Sequence, residues 1–249
     1  DKRKIIKGVN YINWDISNKN NMGILSEINF NYIVNLSGCI DHSSFFKSGN
    51  EIIDVHFSSL VNLVSFIRKD NLLRFVQIGS SDEYGNNNSP INESIRESPI
   101  SPYALGKLTS THYLQQCYRQ GLLNTVVIRP FLIFGEGQNK NRFLPYLIDN
   151  CINNREFKVS KGEQIKDYLY IKDFNRALIK SLNNKKAYGE IINIASGKPR
   201  SIKNIIKNVN EIIGKGKPIF GGIDYRYGEN MEQYANISKA KKILDWQPK

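Results

Sequence analysis

The chain has 249 residues, 40% of them hydrophobic and 11% aromatic, and carries a formal net charge of +12. That apolar content suits a packed globular core and excludes a disordered chain, and no stretch is long and apolar enough to span a membrane. The positive balance invites a nucleic-acid partner, but the lysines are scattered along the chain and form no single stripe, so no nucleic-acid partner is expected.

Along the chain, apolar runs alternate with helical patterns, as in parallel strands joined by crossover helices. Residues 5–14 are too short and interrupted for a secretory signal, and residues 11–12 within them are a strand candidate. Further strands are expected at 32–36, 75–78, 125–128, 167–171 and 191–194. Helices are expected at 54–69, 102–120, 143–153, 171–182, 201–213 and 238–244. Residues 86–102, rich in Asn, Ser and Pro, read as an active-site loop, and 214–222 as a second loop. Cys39, Cys117 and Cys151 show no C-x-x-C spacing and read as reduced packing residues of a cytoplasmic protein. The three histidines are widely spread, so no metal site is expected.

The most informative residues are Tyr103-Ala104-Leu105-Gly106-Lys107. Tyr103 and Lys107 sit four apart, on one face of a helix that Ser101 would cap and Pro102 would open. An ammonium beside a phenol favours phenolate and would lower the tyrosine pKa from about 10. Such a tyrosine can move a proton to or from a sugar hydroxyl or ketone. Upstream, the apolar run 75–78 ends in Gly79-Ser80-Ser81-Asp82-Glu83-Tyr84-Gly85. A hydroxyl at the C-terminal end of a parallel strand faces the usual ligand crevice, so Ser80 or Ser81 could hydrogen-bond the oxygen that Tyr103 protonates.

These segments resemble landmarks of the extended short-chain dehydrogenases/reductases, in the nucleotide-sugar epimerase/dehydratase family. Val34-Asn35-Leu36-Ser37-Gly38 resembles the family's fourth strand, Ser80 to Gly85 its Ser/Thr turn, and Tyr103 with Lys107 its Tyr-x-x-x-Lys pair. Arg129-Pro130-Phe131-Leu132-Ile133-Phe134-Gly135 resembles the strand closing over the nicotinamide, and Lys166 to Asp173 the RDYIYVDD segment. Asn193-Ile194-Ala195-Ser196-Gly197 and Leu244-Asp245-Trp246-Gln247-Pro248 match the late landmarks. Residues 141–246 are most similar to the branch of deoxysugar 4-ketoreductases.

The resemblance implies an α/β fold: a Rossmann-like doubly wound parallel sheet over residues 1–135 and 168–196, with a smaller substrate-binding domain over 136–167 and 197–249. It implies NAD or NADP as cofactor and a nucleotide-sugar as substrate, with chemistry at C4 by an epimerase or 4-ketoreductase of surface-polysaccharide sugar biosynthesis. A homodimer is expected. The implied catalytic residues are Tyr103, Lys107 and Ser80, with Ser81 in an alternative register. Implied cofactor contacts are Asp15, Ile16, Leu36, Ser37, Gly38, Tyr103, Lys107 and Pro130; residues 9–15 would form the third strand. Implied substrate contacts are Asp82, Phe131, Phe143, Lys166 and Arg226. Dehydratases of the family follow the Thr with Asp and Glu; here those positions read Ser81 and Asp82, or Asp82 and Glu83 in the shifted register. His56 stands where the family usually carries Asn and reads as a packing histidine with a possible water-holding role, and Leu132 replaces an Asn common in epimerases. No G-x-x-G-x-x-G turn occurs. The sheet is therefore expected to lack its first strand, first helix and second strand, which would compromise pyrophosphate binding. Two readings follow, a fragment of an active enzyme or a non-catalytic member acting as a binding subunit.

Overall fold

The computed structural model describes residues 5–18, 22–41, 43–226 and 228–249. In chain order, α1 (Ile24–Glu27) precedes β1 (Tyr32–Asn35), and α2 (Gly49–Ile53) passes through a π turn (Asp54–Ser58) into α3 (Ser59–Phe66). Next come β2 (Arg74–Ile78), a 3-10 turn (Ser81–Tyr84), α4 (Pro102–Arg119), β3 (Thr125–Pro130) and β4 (Leu132–Phe134). They are followed by α5 (Phe143–Ile152), β5 (Glu156–Val159), β6 (Ile165–Lys166), β7 (Tyr168–Tyr170), α6 (Ile171–Asn183) and β8 (Glu190–Ile194). The chain closes with β9 (Arg200–Ser201), α7 (Ile202–Ile213), β10 (Lys217–Phe220), β11 (Glu232–Gln233) and α8 (Ser238–Leu244).

The main sheet has the order β1-β2-β3-β8, and every pairing in it is parallel. Alternation along β2 sends Phe75 to one face and Val76 to the other. Phe75 packs with Leu60, Leu63 and Val64 of α3 and Leu114 of α4. Val76 packs with Phe174 and Ala177 of α6, Ala240 and Leu244 of α8, and Trp246. Helices on both faces explain why these strands read as continuous apolar runs, not as alternating ones. Trp246 is pinned by its indole N–H, which donates to the Asp173 carbonyl at 3.0 Å. A separate apolar cluster joins α5 and α7 to β5 through Leu147, Cys151, Phe157, Val159, Ile202 and Ile206.

Several expectations need correction. Residues 9–15 form no strand: Val9, Tyr11 and Ile12 stay exposed, while Trp14 and Ile16 pack beside α1 and α3. Among the described residues no strand pairs with the outer edge of β1, so an apolar run there has no ladder to join. The helix placed at 54–69 begins five residues earlier, at Gly49, and contains the π turn. Residues 214–222 are not simply a loop, because β10 lies within them and pairs in parallel with β5. Its Pro218 and flanking glycines hid the strand, and a two-stranded edge tolerates proline. The strand expected at 167–171 is shorter and pairs with β4, outside the main sheet.

Candidate active site

The site forms where β2 ends and α4 begins. Ser80 follows β2 in extended conformation and caps the 3-10 turn: its Oγ accepts the Asp82 amide at 3.1 Å, while its own amide donates to Glu83 Oε1 at 2.8 Å. This reciprocal capping box fixes the turn on both sides of the serine. At α4, Ser101 Oγ accepts the Ala104 amide at 3.1 Å and Pro102 occupies the first turn. Tyr103 is therefore presented from a rigid helix start. Lys107, one turn on, is 6% exposed, and its Nζ donates to the Ile78 carbonyl at 2.9 Å. Ser80, Ser81, Asp82, Tyr103, Lys107, Pro130 and Phe131 all line one cavity of about 440 Å³.

The electrostatics differ from the sequence expectation. Burial pushes the Tyr103 phenol up to about 12, against the opposing hydrogen bond with Ser80; the Asp82 and Glu83 charges add to the rise. The Lys107 charge does not offset this rise: its ammonium lies 6.0 Å from the phenol ring centroid and is engaged by the Ile78 carbonyl. Burial also lowers the Lys107 pKa, with the Glu83 charge opposing. Tyr103 is thus held as a neutral proton donor.

A second cavity of about 410 Å³ shares Leu132 with the first and is lined by Phe143, Lys166 and Arg226, together with Tyr146, Phe157 and Tyr168. Lys166 is held in its wall: Nζ donates to the Asn230 carbonyl at 2.6 Å and lies 3.4 Å from Glu229. Other expected residues fall outside both cavities. Leu36 is exposed, Ser37 donates to its neighbour Asn35 through both amide and hydroxyl, and Gly38 faces His56. Asp15 accepts from the amide and hydroxyl of Ser17, which lower its pKa. Ile40, just past the Leu36 to Gly38 stretch, does reach the first cavity, as does Arg142, which precedes α5. Sequence reasoning gives neither a site role: Ile40 belongs to no motif, and Arg142 enters only within the 141–246 stretch that resembles the 4-ketoreductase branch.

It also passed over the support behind the serine turn. Glu83 and Arg129 are fully buried; Arg129 Nη2 lies 2.6 Å from Glu83 Oε2 and 2.9 Å from Glu97 Oε1. Thr111 donates to the same Glu83 oxygen at 2.8 Å. Glu83 therefore points into the protein, away from the cavity, and Asp82 is the acid beside Tyr103. A Cβ on Gly79 would lie 2.4 Å from Glu83 Oε1 and 3.2 Å from Arg129 and Val127 side-chain atoms. Gly79→Ala is expected to destabilise the fold by about 1–3 kcal/mol through overpacking, read as a fall in denaturation midpoint; an unchanged midpoint would mean that the turn gives way freely.

Among the described residues no cluster of His, Cys, Asp and Glu could hold a metal ion, and no helix is long and apolar enough to cross a membrane.

The model of the NAD dependent epimerase/dehydratase family matches residues 1–195. The UDP-glucuronate 4-epimerase of Thermodesulfobacterium geofontis is 29% identical over 199 residues, which cover 79% of this chain and 61% of that protein. The CDP-abequose synthase of Salmonella typhimurium is 32% identical over 124 residues, 47% of this chain and 40% of the relative. Among solved structures, the UDP-glucuronic acid 4-epimerase of Bacillus cereus, in complex with UDP-glucuronic acid and NAD, superposes with a TM-score of 0.81 at 26% identity, covering 95% of this chain and 74% of that one. The chain spans about six-tenths of the length of the epimerase relatives it matches. With a family model matching residues 1–195, most of its length, the chain belongs to the NAD dependent epimerase/dehydratase family.

Proposed function

We propose that the protein carries out NAD(P)-dependent oxidoreduction at C4 of a nucleotide-activated sugar, as an epimerase or a 4-ketoreductase. The observation that carries this reading is the convergence of Tyr103, Ser80 and Lys107 on one cavity, with an aromatic-lined second cavity beside it. A nicotinamide, when bound, supplies or accepts the hydride. The residues present fit such a ring: Ile40, Ile78, Phe131, Ile133 and Phe134 give an apolar wall next to the buried Lys107 ammonium. Lys107 and Pro130 would hold it. Asp15 and Ile16 line neither cavity and are left out of the proposed site.

Tyr103 gives its proton to the sugar oxygen in reduction and takes it back in oxidation, while Ser80 holds that oxygen in line. The Lys107 charge stabilises the phenolate that remains. Phe143, Tyr146 and Tyr168 offer stacking surfaces for a nucleobase, and Lys166 and Arg226 offer positive charge for its diphosphate. Oxidoreduction is favoured over 4,6-dehydration because dehydration asks for an acid and a base after the hydroxyl residue. Here Ser81 and Asp82 follow Ser80 at the cavity, and Glu83 is committed to Arg129. Assembly as a homodimer and a place in surface-polysaccharide sugar synthesis belong to the same proposal.

The test is to incubate the protein with NADH or NADPH and UDP-, CDP-, GDP- and dTDP-sugars, including 4-keto derivatives, while following reduced-cofactor absorbance and products. Net oxidation of cofactor with a 4-keto sugar identifies a reductase. Interconversion of C4 epimers without net change identifies an epimerase. A 4-keto-6-deoxy product from a 4-hydroxy sugar, or no turnover of any of these, overturns the reading.

A further inference from the structure

The helix that packs against α4 changes its winding at one place, the π turn at Asp54–Ser58. A π turn inserts a residue, disturbs the normal carbonyl ladder, and is frequent at functional sites. Here the His56 carbonyl accepts the Ser110 hydroxyl of α4 at 3.0 Å, which ties the turn to the helix that carries Tyr103. The His56 side chain is 5% exposed. Its Nε2 lies 3.1 Å from the Cys39 carbonyl. A carbonyl only accepts, so Nε2 carries the proton. The ring meets Tyr103 edge to face, with centroids 5.1 Å apart and an interplanar angle of 88°.

Two glycines give the imidazole its space. A Cβ on Gly38 would come within 2.4 Å of His56 Cε1, and one on Gly106 within 3.1 Å of His56 Cβ and 3.3 Å of Ile53 Cα. Gly106 lies one helical turn after Tyr103, so its missing side chain lets the π turn close onto α4 next to the phenol. Burial, and then the Lys107 charge, bring the His56 pKa down to about 4, which leaves the ring neutral at assay pH.

We propose that His56 is a positioning residue for Tyr103: its ring braces the phenol edge-on and fixes the hydroxyl beside Ser80, in a slot opened by Gly38, Gly106 and the π turn. This rests on the reading of Tyr103 as the acid/base. His56 acts as a wall and not as a proton carrier or water holder. Its protonated nitrogen is committed to Cys39, and its contact with Tyr103 is ring to ring.

The test compares His56→Ala, which removes the wall, with His56→Phe, which keeps a flat ring and loses both nitrogens. His56→Ala is expected to lower kcat by ~30- to 100-fold with the sugar KM changed less than ~3-fold, the scale of a roughly 1 Å misplacement of a catalytic group. His56→Phe is expected to recover most of that loss. A proton or water relay would leave His56→Phe as slow as His56→Ala, and that outcome overturns the proposal, as does an unchanged kcat in His56→Ala. A second readout needs no substrate: 19F NMR of the full chain with 3-fluorotyrosine placed at position 103. A braced ring holds its fluorine either toward His56 or away from it and gives two slowly exchanging lines, which merge into one in His56→Ala and stay separate in His56→Phe. A single averaged line in the parent protein overturns the proposal even if no sugar nucleotide is ever turned over. His56→Leu fills the volume without a flat edge; where alanine does not fold, it takes alanine's place and is expected to behave the same way.

Discussion

Tyr103→Phe is expected to lower kcat by ~10²–10⁴-fold, the range of general acid–base catalysis, while sugar-nucleotide binding changes little. The phenyl ring still fills the space against His56, so the variant should fold like the parent; only the hydroxyl beside Ser80 is lost. The raised pKa gives the reaction a direction-dependent pH response. A phenol pushed up to about 12 is protonated throughout the neutral range. Ketone reduction uses the protonated form, so its rate should be level across neutral pH and fall only as pH climbs toward that value. Alcohol oxidation uses the phenolate, so its rate should rise with pH, by about tenfold per unit while Tyr103 alone governs it. Steady-state rates in both directions across the pH range check this. A reduction rate that falls between pH 7 and 9 would mean that Tyr103 loses its proton far earlier than its burial dictates. Unchanged turnover in Tyr103→Phe would remove the tyrosine from the chemistry altogether.

The large features of this site were legible in the sequence because they depend on local rules. Ser101-Pro102 marks a helix start whatever surrounds it, and Tyr103 and Lys107 four residues apart must share a face of that helix. The strands of the main sheet were legible because burial on both faces demands unbroken apolar runs. What could not be read depends on tertiary packing. The Tyr103 pKa is set by how deeply α4 sinks against the sheet and by where the Lys107 ammonium finds a carbonyl, and the four-residue spacing contains neither. Residues 9–15 have the apolar content of a strand but no partner among the described residues, and β10 has a partner but a proline and glycines in its sequence. The π turn left no trace in a pattern that reads equally well as a regular helix. Glu83 is the clearest case. As a letter beside Asp82 it completes, in the shifted register, the acid and base of a dehydratase, and only the fold turns it inward to Arg129.

That inward turn makes Glu83→Ala the variant with the largest expected effect on stability. Glu83 accepts from the Ser80 amide, the Thr111 hydroxyl and Arg129 Nε at 2.8 Å each. Arg129 stacks over the Tyr84 ring, 4.4 Å from its centroid, and Tyr84 in turn donates to Asn193 at 2.7 Å. Truncating Glu83 leaves a fully buried guanidinium with Glu97 as its remaining carboxylate, and Glu97 sits nearer the surface. Removing one partner of a buried ion pair costs about 3–5 kcal/mol. For a chain of this size each kcal/mol corresponds to roughly 2–4 °C, so the melting temperature should fall by about 6–20 °C. Replacing both partners by apolar residues, as in Glu83→Leu with Arg129→Met, should destabilise by less than the sum of the two single changes, because neither fully buried charge is then left without the other, and only Glu97, nearer the surface, loses a partner. Glu83→Gln separates the structural role from the catalytic one. The amide oxygen can still accept from Ser80 while the charge is lost, so this variant should fold better than Glu83→Ala and keep more activity per folded molecule. If Glu83→Ala melted within about 2 °C of the parent, a shift that corresponds to under about 1 kcal/mol, the buried pair would contribute almost nothing. The serine turn would then have to be held by its 3-10 geometry alone.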